Sequence, residues 1–313
     1  MNIASVNTPA NEHSACELRW QRVDALLGGT DAMRAAGERL LPRFEKETQK
    51  AYERRLSTSV LFGGFEQTLS TMVGMPFAKP MAIGDDVPPR IRSILENVDQ
   101  AGNNIDVFAR ESFRRGLAKG SEHILIDMDP VAPQSAADDL TRRPRWVPIS
   151  AEQLIDGRKA MVNGVERFVH VRIRESVVEW DGYSQKLIMQ VREIEPPFWK
   201  VWRKSEKEDN WFVFSEGNYS LPYVTLATFL SGEKKGIFTA RSPLDNLASL
   251  NIAHWQSASD QRNILTVSRF AVLFLRGASL SGELSFGPFT VLVGDGDNAD
   301  AKYVEHQGHA IQA

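Results

Sequence analysis

Only one cysteine, Cys16, stands among 313 residues. No disulfide can therefore close within the chain, and the usage points to a reducing compartment. Long apolar runs are also missing. The longest, FAVLFL at 270–275, is far short of the roughly 20 residues that cross a bilayer as a helix. The opening MNIASVNTPANEHSACELRW has no apolar core of the kind a secretory signal carries. These absences imply a soluble, intracellular chain with no membrane partner. Charge of one sign is lacking too, since 37 Lys and Arg against 40 Asp and Glu leave a formal −3. That balance argues against holding nucleic acid by blanket neutralisation of phosphates. It is compatible with transient contact, because a slightly acidic surface lets DNA pass without sticking. Several signatures of chemistry are absent as well: a Gly-Lys-Ser/Thr phosphate loop, a nucleophile elbow and Gly-x-Gly-x-x-Gly. The expectation is a protein that is not an enzyme and needs no cofactor.

What is present is ordinary globular material, 42% hydrophobic and 25% charged, long enough for two modest domains or one large domain with appendages. Residues 1–28 carry few large apolar groups and read as a mobile arm, with a short helix available at 20–27. Helix formers fill 31–50, where Pro42 divides the run. A second helix is expected over 52–72, with Gly63-Gly64 marking close packing or a break. Pro88-Pro89 opens a helix at 90–98, and 105–119 is amphipathic through Ile105, Phe108, Ala109, Phe113 and Leu117, closed by Gly120.

The period then changes. Strands are predicted at 123–127, 146–149, 167–174, 187–194, 198–202 and 211–214. A polar loop spans 131–143, a charged turn 204–210, and Asn163-Gly164 and Asp181-Gly182 suit hairpins. Helices first and strands later predict an α+β fold.

The most informative stretch is RSPLDNLASLNIAHWQSASDQRNILTVSRFAVLFL at 241–275. Ser242 can cap a helix and Pro243 suits its first position. Leu244, Leu247, Ala248, Trp255, Ala258 and Leu265 fall near one face, but Asn251 and Arg262 interrupt it. So thin a stripe buries itself poorly in one core. It predicts packing against polar neighbours or against copies of the same chain.

Candidate chemistry is sparse. Asp127 and Asp129 end a strand two apart and could share a hard cation, although a polar turn before Pro130 explains them more simply. Asp295, Asp297, Asn298 and Asp300 depart from the calcium-loop spacing and read as a solvated turn. His306 and His309 lack a third ligand, so no metal site is expected. His254 and Asp260 lie too far round the helix for a mutual hydrogen bond. The pairs Arg54-Arg55, Arg114-Arg115, Arg142-Arg143 and Lys234-Lys235 read as solvated faces, which a ring of subunits would multiply into bands of charge.

Five segments in order carry a resemblance: GTDAMRAAGERLLPRFEKETQKAYERRL (29–56), VGMPFAKP (73–80), ENVDQAGNNIDVFARESFRRGLAKGSEHILIDMDP (96–130), RPRWVPISAEQLIDGR (143–158) and SPLDNLASLNIAHWQSASDQRNIL (242–265). Together they resemble portal-like proteins of tailed phages, a family long filed as a domain of unknown function. The resemblance implies a homo-oligomeric ring, usually of twelve copies, at a capsid vertex. Double-stranded DNA passes through such a ring, and terminase, capsid protein and head–tail connectors dock on it. It also implies location in the virion, and in the host cytoplasm during assembly. On this chain it implies a mixed or antiparallel α+β wing at 29–240, a stem helix at 241–268 and the start of a β-containing clip at 269–313. The expectation is that Leu247, Trp255 and Ala258 pack inside the stem or against a neighbour. Family members continue into further stem, channel and crown helices, so the chain reads as truncated at its C-terminal end. Two other readings compete: a metal-dependent hydrolase using Asp127 and Asp129, and a monomeric adaptor module.

Overall fold

The computed structural model describes residues 5–128, 135, 142–205, 210–268, 272–276 and 300–304. The fold is α+β, with helices concentrated in the first 120 residues and antiparallel sheets after them. Contacts group the chain into two units, 1–33 with 63–251, and 34–62 with 252–313. This division is discontinuous, whereas the expected wing ran unbroken over 29–240.

In the first unit, α1 (Asn11–Leu27) replaces the expected mobile arm. The expectation fails because Cys16, Trp20, Val23 and Leu26 recur at helical spacing and all four are buried. Polar contacts fasten the same segment. Trp20 Nε1 donates to the carbonyl of Lys119 at 3.0 Å, and Glu12 Oε2 accepts from Thr239 Oγ1 at 2.8 Å. Even the residues before the helix are tied, since Arg172 donates to the carbonyl of Val6 and Arg174 to Asn7 Oδ1.

The helix α2 (Gly29–Ala36) spans the unit boundary and runs into a 3-10 turn at Gly37–Arg39. The run at 52–72 is two helices, α3 (Gln49–Thr58) and α4 (Gly64–Gly74), so Gly63-Gly64 marks a break. A short α5 (Pro89–Leu95) follows. Next, α6 (Ile105–Lys119) has both of its expected ends. Asn104 Oδ1 accepts from the amide of Val107, and Gly120 adopts φ +95°, where a Cβ would collide with the carbonyl of Ala240.

Strand β1 (Ser121–Asp127) is the centre of a three-stranded antiparallel sheet, between β2 (Arg145–Ser150) and β8 (Leu226–Leu230). A five-stranded antiparallel meander follows the order β3 (Leu154–Val162), β4 (Val165–Asp181), β5 (Ser184–Glu195), β6 (Phe198–Lys204), β7 (Trp211–Asn218). Both turn dipeptides lie at hairpins. Asn163 and Gly164, each at positive φ, join β3 to β4, and Gly182 at φ +60° joins β4 to β5. Beyond the expected turn at 204–210, Lys204 pairs with Trp211; residues 206–209 lie outside the described residues.

Strands β3 and β8 were not predicted. In β3 the run Asp156-Gly157-Arg158-Lys159 hides the pattern, and Gly157 is the point where Phe168 approaches too closely for a Cβ, at 2.9 Å. The core of this unit joins Leu125, Ile149, Leu154, Phe168, Val171, Ile173, Ile194, Val224 and Phe238. Two-residue strands β9 (Glu233–Lys234) and β10 (Ala240–Arg241) pair beside it in sequence.

The long helix α7 (Asp245–Ser268) begins in the first unit and passes at residue 252 into the second. It starts two residues later than expected, with Pro243 in the preceding turn, but Ser242 caps it as predicted. Ser242 Oγ accepts from the amide of Leu244 at 3.0 Å, and donates to the carbonyl of Leu117. In the second unit β11 (Val272–Arg276) pairs antiparallel with β12 (Asp300–Val304).

Candidate functional site

The long helix carries the residues expected to pack inside the stem or against a neighbour. Trp255 is fully buried, while Leu247 and Ala258 are half-buried. The buried stripe of the helix and its preceding turn is Leu244, Ala248, Asn251, Ile252, Trp255 and Ser259. Two of these are polar, and one of them, Asn251, was expected to spoil the face. Each is satisfied instead: Asn251 Oδ1 accepts from the amide of Phe65 at 2.7 Å, and the hydroxyls of Ser259 and Ser59 lie 2.8 Å apart. A buried polar group with its hydrogen bond made costs little. The premise that a thin apolar stripe buries poorly is therefore corrected for residues 244–259. It holds for 261–266, all of which are exposed, including Ile264 and Leu265.

Around this helix the second unit builds a buried ion pair. Arg55 holds Glu47 through two bonds, Nε to Oε1 at 2.9 Å and Nη2 to Oε2 at 2.8 Å. The same guanidinium donates to the carbonyl of Pro42, stacks 4.3 Å from the Phe44 ring centre, and lies 3.5 Å from Asp260. Its hydrogen bonds hold the Glu47 carboxyl below the usual carboxylate range. Arg55 is thus a core residue and not part of a solvated basic face. His254 is exposed, with its ring 5.5 Å from that of Phe62.

Asp127 closes β1 as predicted, at one wall of a cleft of about 900 Å³ in the first unit. Its Oδ2 lies 3.5 Å from Arg145 and 3.3 Å from Arg192, and its Oδ1 accepts from the amide of Met128. This carboxylate is engaged by two guanidinium groups, the opposite of the electrostatic setting that a cation-binding pair requires. Its proposed partner Asp129 lies outside the described residues, as do Asp295, Asp297, Asn298, His306 and His309; Asp300 opens β12.

The cleft is further lined by Trp199, Arg203, Phe214 and Tyr219, and Arg203 sits 3.5 Å over the Phe214 ring. On the other side of this sheet His170, Glu193 and Glu195 bring potential ligand atoms within 4.8 Å of one another. Glu193 is already engaged there, by Trp202 Nε1 at 2.9 Å and His170 Nε2 at 3.1 Å. These contacts account for the arrangement as a polar cross-strand network.

Among the other basic pairs, Arg115 binds the fully buried Glu122 at 2.7 Å, and Lys235 binds Glu233 at 2.6 Å. No described helix is long and apolar enough to cross a membrane.

Comparison with known proteins finds one family model, described as Domain of unknown function (DUF4055), matching residues 243–313. The matched stretch covers α7 and the β11–β12 strand pair. No curated protein matches the chain.

Proposed function

We propose that this chain is a structural portal-type protein of a tailed phage, forming a ring through which double-stranded DNA is packaged and ejected. The reading is carried by one observation: a 24-residue helix whose residues 261–266 are exposed, followed in sequence by an antiparallel strand pair. At 1.5 Å per residue such a helix is about 36 Å long. The order of elements, an α+β body, then the long helix, then the strand pair, is the order the resemblance implies for wing, stem and clip. The family match over 243–313 falls on the helix and strand pair. Neighbouring copies would cover the 261–266 end in the ring, and terminase, capsid and connector proteins would dock on the assembly. In this reading the chain contributes shape and contact, with no catalytic residue, and resides in the virion after assembly in host cytoplasm. Native mass spectrometry and negative-stain microscopy test it directly. The expected result is a closed ring with a central opening; a monomer that persists at micromolar concentration overturns the proposal.

A further inference from the structure

Strands β4 and β5 outrun their neighbours. β3 pairs with β4 only over 165–173, and β6 pairs with β5 only over 190–195. From Glu175 to Met189 the backbone ladder therefore pairs the two strands only with each other among the described residues. A two-stranded ribbon of this kind is marginal by itself in water.

The register sorts its side chains onto two faces. One face carries Glu175, Val177, Glu179, Asp181, Lys186 and Ile188; Glu175 reaches Arg192 at 2.8 Å and Glu179 reaches Arg203 at 2.6 Å. The opposite face carries Ser176, Val178, Trp180, Gln185, Leu187 and Met189, without a single charge. Ordinary antiparallel ribbons bury the apolar face and wet the polar one. Here the apolar side chains are the open ones: Val178 is 50% exposed, Trp180 66%, Leu187 64% and Met189 46%, with Tyr183 fully exposed at the tip.

We propose that this uncharged face of the β4–β5 hairpin is the surface by which a second copy of the chain docks. The inference rests on the ring reading and names a contact within it. A charge-free patch that carries Trp180, Tyr183, Leu187 and Met189 has the composition of a protein interface core, and it offers nothing to phosphates. Its size fits as well. The five exposed side chains present roughly 600 Å², most of the ~800 Å² that one partner contributes to a stable contact. A ring contact is heterologous, so the receiving surface is a different patch of the neighbouring copy.

The test compares the whole chain with the double variant Trp180→Ser, Leu187→Ser, and with Lys186→Ser on the opposite face. Sedimentation velocity measures association, and hydrogen exchange reads the amides of 176–189. Truncating two such anchors is expected to weaken association by at least about 30-fold. Thermal unfolding of the double variant should be unchanged, because both side chains are already mostly in water. Lys186→Ser should assemble normally, and the hairpin amides should slow their exchange on assembly. An assembled double variant of undiminished affinity overturns this proposal and leaves the ring reading standing. A wild-type chain that stays monomeric overturns both. Protection of the hairpin only on phosphatidylcholine–phosphatidylglycerol vesicles overturns it in favour of a lipid surface.

Discussion

Helices α6 and α7 start alike and end differently. Each is opened by a side-chain cap, from Asn104 and Ser242 respectively. α6 then closes on a left-handed glycine and buries Phe108, Leu117 and Ala118 in the ordinary amphipathic manner. α7 buries a stripe that includes Asn251 and Ser259 before its exposed turns at 261–266. The lesson concerns what a stripe can consist of. Apolar spacing finds α6, but a helix face can also be buried through polar residues whose partners lie far away in sequence. Asn251 finds Phe65, and Ser259 finds Ser59.

The comparison can be broken most forcefully at Trp255. If α7 is packed within its own chain, Trp255→Ala should cost about 3–5 kcal/mol in urea denaturation of the dissociated chain, as much as Phe108→Ala in α6. A loss seen only in the assembled state would return Trp255 to a subunit contact. Arg55→Ala should cost a similar amount, about 3–5 kcal/mol, because Glu47 would be left buried and unpaired. Replacing both residues by apolar ones of similar volume should recover most of that loss.

A pH profile sharpens the α6 side. Burial pushes Glu122 up from its usual value to about 7, with Arg115 of α6 opposing the shift. Between about pH 4.5 and 7 the folded chain therefore keeps a proton that the unfolded chain releases. Stability contributed by this group should fall as pH rises through that window and level off above it, a change on the order of a few kcal/mol. Glu122→Gln should flatten that part of the profile in urea titrations at stepped pH. Two smaller effects complete the series. Asn251→Ala orphans the Phe65 amide and should cost roughly 1–3 kcal/mol, whereas Leu250→Ser, at a position 67% exposed, should stay within about 0.5 kcal/mol.

Much of the fold was legible because its signals are local. The closing glycine of α6, the capping serine before α7 and both hairpin turns depend on residues a few positions apart, and all lie where expected. The strands at 167–174 and 187–194 were also found, though each proved longer. The extension at 175–181 exposes Val178 and Trp180, so its apolar residues do not mark a buried face. Only the 20–27 end of the docked helix α1 was expected, because a polar opening segment outweighed four apolar residues at helical spacing. Within the candidate site, Trp255 was named as a packing residue and is fully buried. Asp127 was placed correctly at the end of its strand, yet the guanidinium groups around it come from positions 18 and 65 residues onward.

Sequence alone decided the α+β class, the ends of the principal helices and the hairpin turns, since backbone dihedrals and capping bonds are short-range. Tertiary structure alone decided that Arg55 is a core residue, that Asn251 and Ser259 are buried at little cost, and that the β4–β5 ribbon exposes its apolar face. Each of those outcomes depends on which distant group supplies or withholds a partner, and no local pattern encodes that.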